Sequence, residues 1–476
     1  MLFNSIHFAF FFVLVTCLYF YISHSYRWLL LLASSCYFYM SFIPVYILIL
    51  FFTIVIDYFA GIYLEKTNGP NRKLLLVVSL LSNILILCFF KYYYFLNDNL
   101  TVLLGFFHED NPIPYLSIIL PIGLSFHTFQ AMSYTIEVYR GNQKAEQHFG
   151  YYSLYVMFYP QLVAGPIERP QNILHQLHEK HTFDYSRVVD GLKLMAWGLF
   201  KKIVIADRLA TVVDPVFNFP NEYNGLETSI AVAFFSFQIF CDFSGYSDIA
   251  IGSARVMGID LMKNFDRPYH STSIQEFWKR WHISLSSWFR DYLYLPLGGS
   301  RVVIPRWYLN LFITFLISGL WHGANLTFVI WGALHGFYLV FGIVSKKSRQ
   351  KLDNVLGLGR YPVIDRLAVF ILVSLAWIFF RADNLQAASL VFRNLAFRWD
   401  ISSLHFFTHI KWETVCLSLV LIGIMEYVHS LDSKRNVRQL IATLPRPTRW
   451  ALYYAFVGAL FYLAVLDDRQ FIYFQF

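Results

Sequence analysis

The sequence predicts an all-α polytopic membrane protein with roughly 10–12 transmembrane helices plus re-entrant and interfacial helices. Three observations carry that reading. Of 476 residues, 57% are hydrophobic and only 14% charged, whereas a soluble domain carries about 25% charged residues. The chain therefore lacks the polar surface needed to coat a globule. Its apolar residues come in blocks, and a hydrocarbon core of about 30 Å takes roughly 20 apolar residues per helix. The loops between blocks alternate in charge, as the positive-inside bias requires. Counting domains from length applies to soluble chains, so residues 1–476 read as a single integral-membrane unit.

In chain order the apolar runs fall near 5–22, 28–44, 45–63, 74–91, 114–137, 189–206, 228–254, 307–321, 325–344, 367–380, 413–428 and 450–466. The first starts at about Ser5 without a basic leader or a small-residue cleavage site, and reads as an uncleaved span. The fifth is broken by Pro-Gly at LPIGLSF (120–126), a break that needs protein or water to satisfy the freed backbone. Residues 65–73, 140–144, 345–351 and 433–449 are basic and belong on the cytoplasmic side. Residues 97–112 and 214–227 carry no Lys or Arg and belong outside, which puts both termini outside.

Two stretches fit no simple span. YVMFYPQLVAGPIERPQNIL (155–174) is apolar but contains three prolines, and reads as re-entrant or interfacial. STSIQEFWKRWHISLSSWFRDYLYLPLGGSR (271–301) opens on a capping box, Ser273 with Glu276. Phe277, Trp281, Trp288 and Tyr292 give it an aromatic stripe, and Lys279, Arg280, Arg290 and Asp291 a polar side. That combination predicts a basic amphipathic helix lying in the membrane interface among the lipids.

The net charge of +8 marks cytoplasmic loops here. No nucleic-acid partner is expected, because the basic residues form no stripe and the aromatics lie inside apolar runs. The five cysteines (Cys17, Cys36, Cys88, Cys241 and Cys416) sit in apolar sequence without a CxxC pair, so neither a disulfide framework nor a metal site is indicated. Nucleophile elbow, phosphate loop and HExxH motifs are absent. The paired halves that build many transporters are absent too, although a transporter without chemistry stays open as an alternative.

Ionisable residues inside apolar sequence are functional-site hypotheses by default. Four places qualify: His322, beside Trp321 in GLWHG; His282, beside Trp281 in RWHIS; Asp242 and Asp248, with Tyr246 between them, in QIFCDFSGYSDIAIG (238–252); and His127 with Gln130 in FHTFQ. A neutral imidazole can take a proton from an alcohol and return it, and a site that excludes water suits acyl transfer, because water competes as acceptor. His335, in WGALHG, is as plausible as His282 or His322 on these grounds. Asp242 and Asp248 read as structural partners for Arg or His.

Taken together, FWKRWHISLSSWFRDYLYLPLGG, SGLWHGANLTFVIWGALHG, QLVAGPIERP, IFCDFSGYSDIAIG, WIFFRAD (377–383) and FIYFQF (471–476) resemble the membrane-bound O-acyltransferase family. The likeness is to its bacterial branch that O-acetylates alginate or peptidoglycan. The resemblance implies a funnel of helices in the bacterial inner membrane. It implies a catalytic histidine at His322, a second functional histidine at His282, and a supporting place for His335. Trp281, Trp321, Arg290, Asp242 and Tyr246 are expected in donor binding or the supporting network. No bound cofactor is implied; acetyl-CoA is the expected donor, an exported polysaccharide the acceptor, and an extracytoplasmic SGNH-type acetyltransferase the partner. A D-alanyl, lipid or protein acyltransferase of the same family is the alternative.

Overall fold

The computed structural model describes residues 1–116, 118–357, 361–399, 410–465 and 471–472, and among them every regular element is helical. The last four residues of the FIYFQF motif lie outside the described residues. The chain forms two compact units, one of residues 1–195 with 249–262 and one of residues 196–248 with 263–476.

The first unit opens with α1 (Ile6–Tyr21) and α2 (His24–Met40). It continues through α3 (Ile47–Lys66), α4 (Pro70–Gly105), α5 (Leu124–Arg140), α6 (Phe149–Met157), α7 (Pro170–His178) and α8 (Tyr185–Leu199). Helices α3, α4 and α5 pack on one another, and α6 packs on α2. The Pro-Gly break before α5 is required. Gly123 has φ +77, and a Cβ there would stand 2.9 Å from the Leu162 carbonyl oxygen. The proline-rich stretch 155–174 ends α6, turns and begins α7, with nearly every residue buried in protein.

In the second unit the chain widens at Phe200–Ala206 into a π-helical segment. It continues as α9 (Asp207–Asn218) and α10 (Gly225–Met257), whose last turns belong to the first unit. Then come α11 (Ile274–Arg280), α12 (Ile283–Phe289), α13 (Ile304–His322), α14 (Leu326–Val344) and α15 (Lys346–Leu356). The last elements are α16 (Pro362–Arg381), α17 (Leu385–Phe397), α18 (Trp412–Lys434), α19 (Val437–Thr443) and α20 (Arg446–Leu463). Helices α13 and α14 form a tight hairpin. A Cβ on Gly319 would come 2.3 Å from the Phe328 carbonyl oxygen, and one on Gly332 would come 2.4 Å from that of Phe315. Small residues at a contact let backbones approach this closely.

Among the described residues six segments are long and apolar enough to cross a membrane: Pro44–Lys66, Pro70–Gly105, Gly225–Met257, Leu326–Val344, Pro362–Arg381 and Trp412–Lys434. Other apolar runs of the sequence form shorter helices, such as α1 with 16 residues and α2 with 17. The apolar window of α10 is 72% buried and that of α4 only 17%, which makes α10 a core helix and α4 a peripheral one. Large apolar side chains such as Phe10, Leu85 and Phe461 point outward, as a lipid-facing surface demands. This is a multi-pass membrane protein, consistent with the bacterial inner membrane.

Candidate active site

The stretch 271–301 departs from its predicted form. Ser273 does cap α11, accepting from the Glu276 N–H at 3.1 Å, while the Glu276 carboxylate accepts from the Thr272 N–H at 2.8 Å. The helix then stops at Trp281, and His282 takes φ +43 before α12 begins. A left-handed backbone at a non-glycine residue stores strain that the surroundings must hold. Phe277, Trp281 and Trp288 are buried in protein and do not face lipid. The aromatic stripe that suggested an interfacial helix is core packing around a break.

That break delivers His282 to a series of rings. His282 is fully buried, its imidazole 4.6 Å from the Phe243 ring and 6.4 Å from Trp321. Trp321 stands 4.9 Å from His322, His322 5.0 Å from Trp331, and Trp331 4.9 Å from His335. Imidazole and indole alternate through five residues. Phe380 closes on His322 edgewise at 5.2 Å, and Trp377 stacks on Trp331 at 5.7 Å. Trp281 supports the series from behind, 5.0 Å from Trp377.

Local rules place each member. His322 is the last residue of α13, followed by Gly323 in extended conformation. Asn325 then caps α14, accepting from the Thr327 N–H at 3.1 Å. Trp331 and His335 are one turn apart on α14 and share a face. The two outer histidines differ in constraint. The Trp278 indole N–H, which can only donate, gives its hydrogen bond to His335 Nδ1 at 3.2 Å. In the neutral imidazole the His335 proton is thereby assigned to Nε2.

Asp242 and Ser244, on either side of Phe243 in the chain, belong to a buried ionic network. Asp242 accepts from Lys202 at 2.7 Å, and the same ammonium reaches Asp207 at 2.8 Å. Lys201 pairs with Asp248 at 2.8 Å and donates to Ser244 Oγ at 2.8 Å. The aspartates pair with lysines, and not with Arg or His as the sequence suggested. The other oxygen of Asp242 accepts from the Ile472 N–H at 2.7 Å. Phe471 stacks on Tyr246 at 4.8 Å and leans on Phe243 at 5.6 Å, the ring that faces His282. Asp242 and Tyr246 thus hold a C-terminal segment against the wall of the site.

Arg290 is not brought into this assembly; it is exposed and pairs with its neighbour Asp291 at 2.8 Å. His127 lies in the first unit, bonded to the Thr53 hydroxyl at 2.5 Å. The sequence reading missed Lys201, Lys202, Trp331, Trp377 and Phe380. A Lys-Lys pair inside the apolar run 189–206 was the available signal for the first two; the aromatics carried none beyond their type. Among the described residues no three His, Cys, Asp or Glu side chains converge as a metal ligand set.

The probable alginate O-acetylase AlgI of Pseudomonas aeruginosa is 38% identical over 82% of this chain and 73% of its own length. The Pseudomonas putida protein of the same name is 34% identical over the full length of both chains. The peptidoglycan O-acetyltransferase of Helicobacter pylori is 34% identical over 85% of this chain and 81% of its own. Residues 59–381, which include His282, His322 and His335, match the model of the membrane-bound O-acyltransferase family. With that match over most of its length, the chain belongs to the membrane-bound O-acyltransferase family and is a membrane acyltransferase.

Proposed function

We propose that this protein moves an acetyl group from a cytosolic thioester, acetyl-CoA, to a hydroxyl outside the membrane, for O-acetylation of an exported polysaccharide of the cell envelope. A separate extracytoplasmic SGNH-type transferase completes the transfer as partner. The relatives' names, an alginate O-acetylase and a peptidoglycan O-acetyltransferase, support the acetyl group and the glycan.

One observation carries the chemistry. His322 ends a helix inside an aromatic enclosure of Trp321, Trp331 and Phe380, and is itself 4% exposed. In this reading its imidazole takes the proton of the attacking hydroxyl as the oxygen bonds to the thioester carbonyl carbon. The carbon–sulfur bond then breaks, and the proton passes to the departing thiolate. The rings keep water from competing as acceptor. His335, committed through Nδ1 to Trp278, orients Trp331 and does not itself take the proton. His282, held in a strained backbone, positions the acyl group beside Trp321.

The test compares His322→Ala with His335→Ala in cells at matched protein levels, reading O-acetyl content of the envelope glycan. General-base loss predicts at least a ~100-fold drop for His322→Ala, and less than about tenfold for His335→Ala. Normal acetylation by a properly inserted His322→Ala protein refutes the assignment.

A further inference from the structure

The second unit carries a cleft outside the ring series. It has a volume of about 350 Å³ and lies between the end of α9 with the turn that follows and the start of α17. Phe217, Phe219, Asn221 and Glu222 line one wall, and Asp383 and Gln386 line the other. Phe217 is buried as a floor, whereas Phe219 is 59% exposed at the rim. The walls are fixed independently of any occupant. Asn394 donates to the Pro220 carbonyl at 2.6 Å, Arg398 to the Asn221 carbonyl at 2.7 Å, and Arg381 to Asp214 at 3.1 Å.

From this cleft we infer a saccharide-binding subsite for an uncharged glycan. Its size suits a small organic ligand such as two sugar rings, and is too small for a docked helix or a protein domain. Its chemistry is that of vicinal hydroxyls. The Asn221 and Gln386 amides each offer donors and an acceptor, the two carboxylates accept from O–H groups, and the Phe219 ring offers an apolar face to the C–H side of a sugar. Charge narrows the class. Glu222 and Asp383 place two negative charges at the cleft; of the two cations against its walls, Arg381 is paired with Asp214 and Arg398 bonds the Asn221 carbonyl, so the lining stays net negative by about one charge. A polyuronate is repelled by such a site, and a neutral or N-acetylated glycan is not.

The cleft is also connected to the proposed chemistry. Asn325, three residues past His322, donates its side-chain amide to the Asp383 carbonyl at 2.7 Å. Phe380, three residues before Asp383, is the ring that closes on His322. The wall segment 217–222 belongs to the loop 214–227, which has no Lys or Arg and reads as extracytoplasmic. The subsite therefore holds a glycan strand beside the residues that enclose His322. Its place in transfer rests on the function proposed above; its ligand does not.

The test uses the full chain in lipid nanodiscs and saturation-transfer NMR with three probes: an N-acetylglucosamine trimer, a glucose trimer and a mannuronate trimer. Saturable binding of an uncharged trimer is expected, at least tenfold tighter than the mannuronate trimer. Phe219→Ala and Gln386→Ala should each weaken it at least fivefold, and Glu222→Gln with Asp383→Asn should narrow the gap to mannuronate. His322→Ala should bind as the wild type does, which separates failure of this site from failure of the catalytic assignment. The inference is overturned if no uncharged trimer binds the wild-type protein, if mannuronate binds tighter, or if Phe219→Ala and Gln386→Ala retain full affinity. It is equally overturned if those variants lose only a copurifying extracytoplasmic protein and no sugar.

Discussion

In the first unit His127 meets the Thr53 hydroxyl at 2.5 Å, and Asp57 is enclosed by Ser79 at 2.6 Å and Asn83 at 2.8 Å. In the second unit His322 and His282 face aromatic rings, and Asp242 and Asp248 of α10 are matched to lysines from a π-helical segment. Both units bury ionisable groups in greasy sequence, but the first closes each group in a small hydrogen-bonded set between neighbouring helices. The second gathers residues from four helices and a chain break into one connected assembly. Burial of an ionisable group raises a functional hypothesis in both units. Convergence of several, from distant parts of the chain, is what distinguishes the second unit and what the proposed function rests on.

The contrast breaks most sharply through the histidines. His127→Ala should leave acyl transfer per inserted molecule within about twofold of wild type, whereas His322→Ala loses at least ~100-fold. Comparable losses in glycan O-acetylation assays would erase the distinction between the units.

Lys202→Met comes next, because it strands Asp242 and Asp207 without their cation. Breaking a buried pair costs about 3–5 kcal/mol, so the detergent-solubilised protein should melt well below the wild type. An unchanged melting temperature would mean that the network carries no weight.

Gly319→Ala presses a methyl group against the Phe328 carbonyl. Overpacking of this kind costs about 1–3 kcal/mol, and the strain falls one turn from His322. Acyl transfer should drop by more than the loss in folded protein explains, as quantified by activity per molecule in the same assay.

On the other side of the comparison, Asp57→Ala should cost about 1–3 kcal/mol by removing the acceptor of the Ser79 hydroxyl and of one Asn83 N–H, the other being held by the Ser79 carbonyl. Asp57→Asn should cost less, and neither should change transfer per molecule. A selective loss of transfer in Asp57→Asn, measured alongside its melting curve, would place that cluster in the chemistry.

The smallest effect is on pH dependence. Burial raises the Glu168 carboxyl from 4.5 to about 7, against opposing hydrogen bonds from the Met262 N–H and Asn172. The folded state holds this proton more tightly than the unfolded chain. Its contribution to stability is complete below about pH 4.5 and lost as pH rises through about 7. Glu168→Gln should flatten the melting temperature across that window; an unaltered slope would show that Glu168 does not titrate there.

Much of this was legible in the residues. Long apolar blocks announced the helices, and imidazoles inside apolar sequence made His322, His282 and His335 candidates on equal terms. The family resemblance set His322 apart from His335; the structure adds the Trp278 hydrogen bond that occupies His335 Nδ1. What stayed hidden was long-range. Trp321 and Trp331 lie on different helices, so their alternation with the histidines exists only after α13 and α14 fold together. The partners of Asp242 and Asp248 stand some forty residues earlier in the chain, where no local spacing connects them. Helical periodicity through 271–301 concealed the break at His282, because a left-handed residue leaves no mark on a hydrophobic pattern.

The lysine–aspartate network also bears on how the chain is built into the bilayer. Lys201 and Lys202 sit in an apolar run, and Asp242 and Asp248 lie within α10. At the centre of a lone helix, Lys or Asp costs about 2.5–3.5 kcal/mol to insert, so each segment is a poor guest of lipid alone. Together their charges are matched pair by pair. Residues 196–206 precede α10 in the chain, so their lysines are made before their aspartate partners, and the matched pairs form only once both segments are in place.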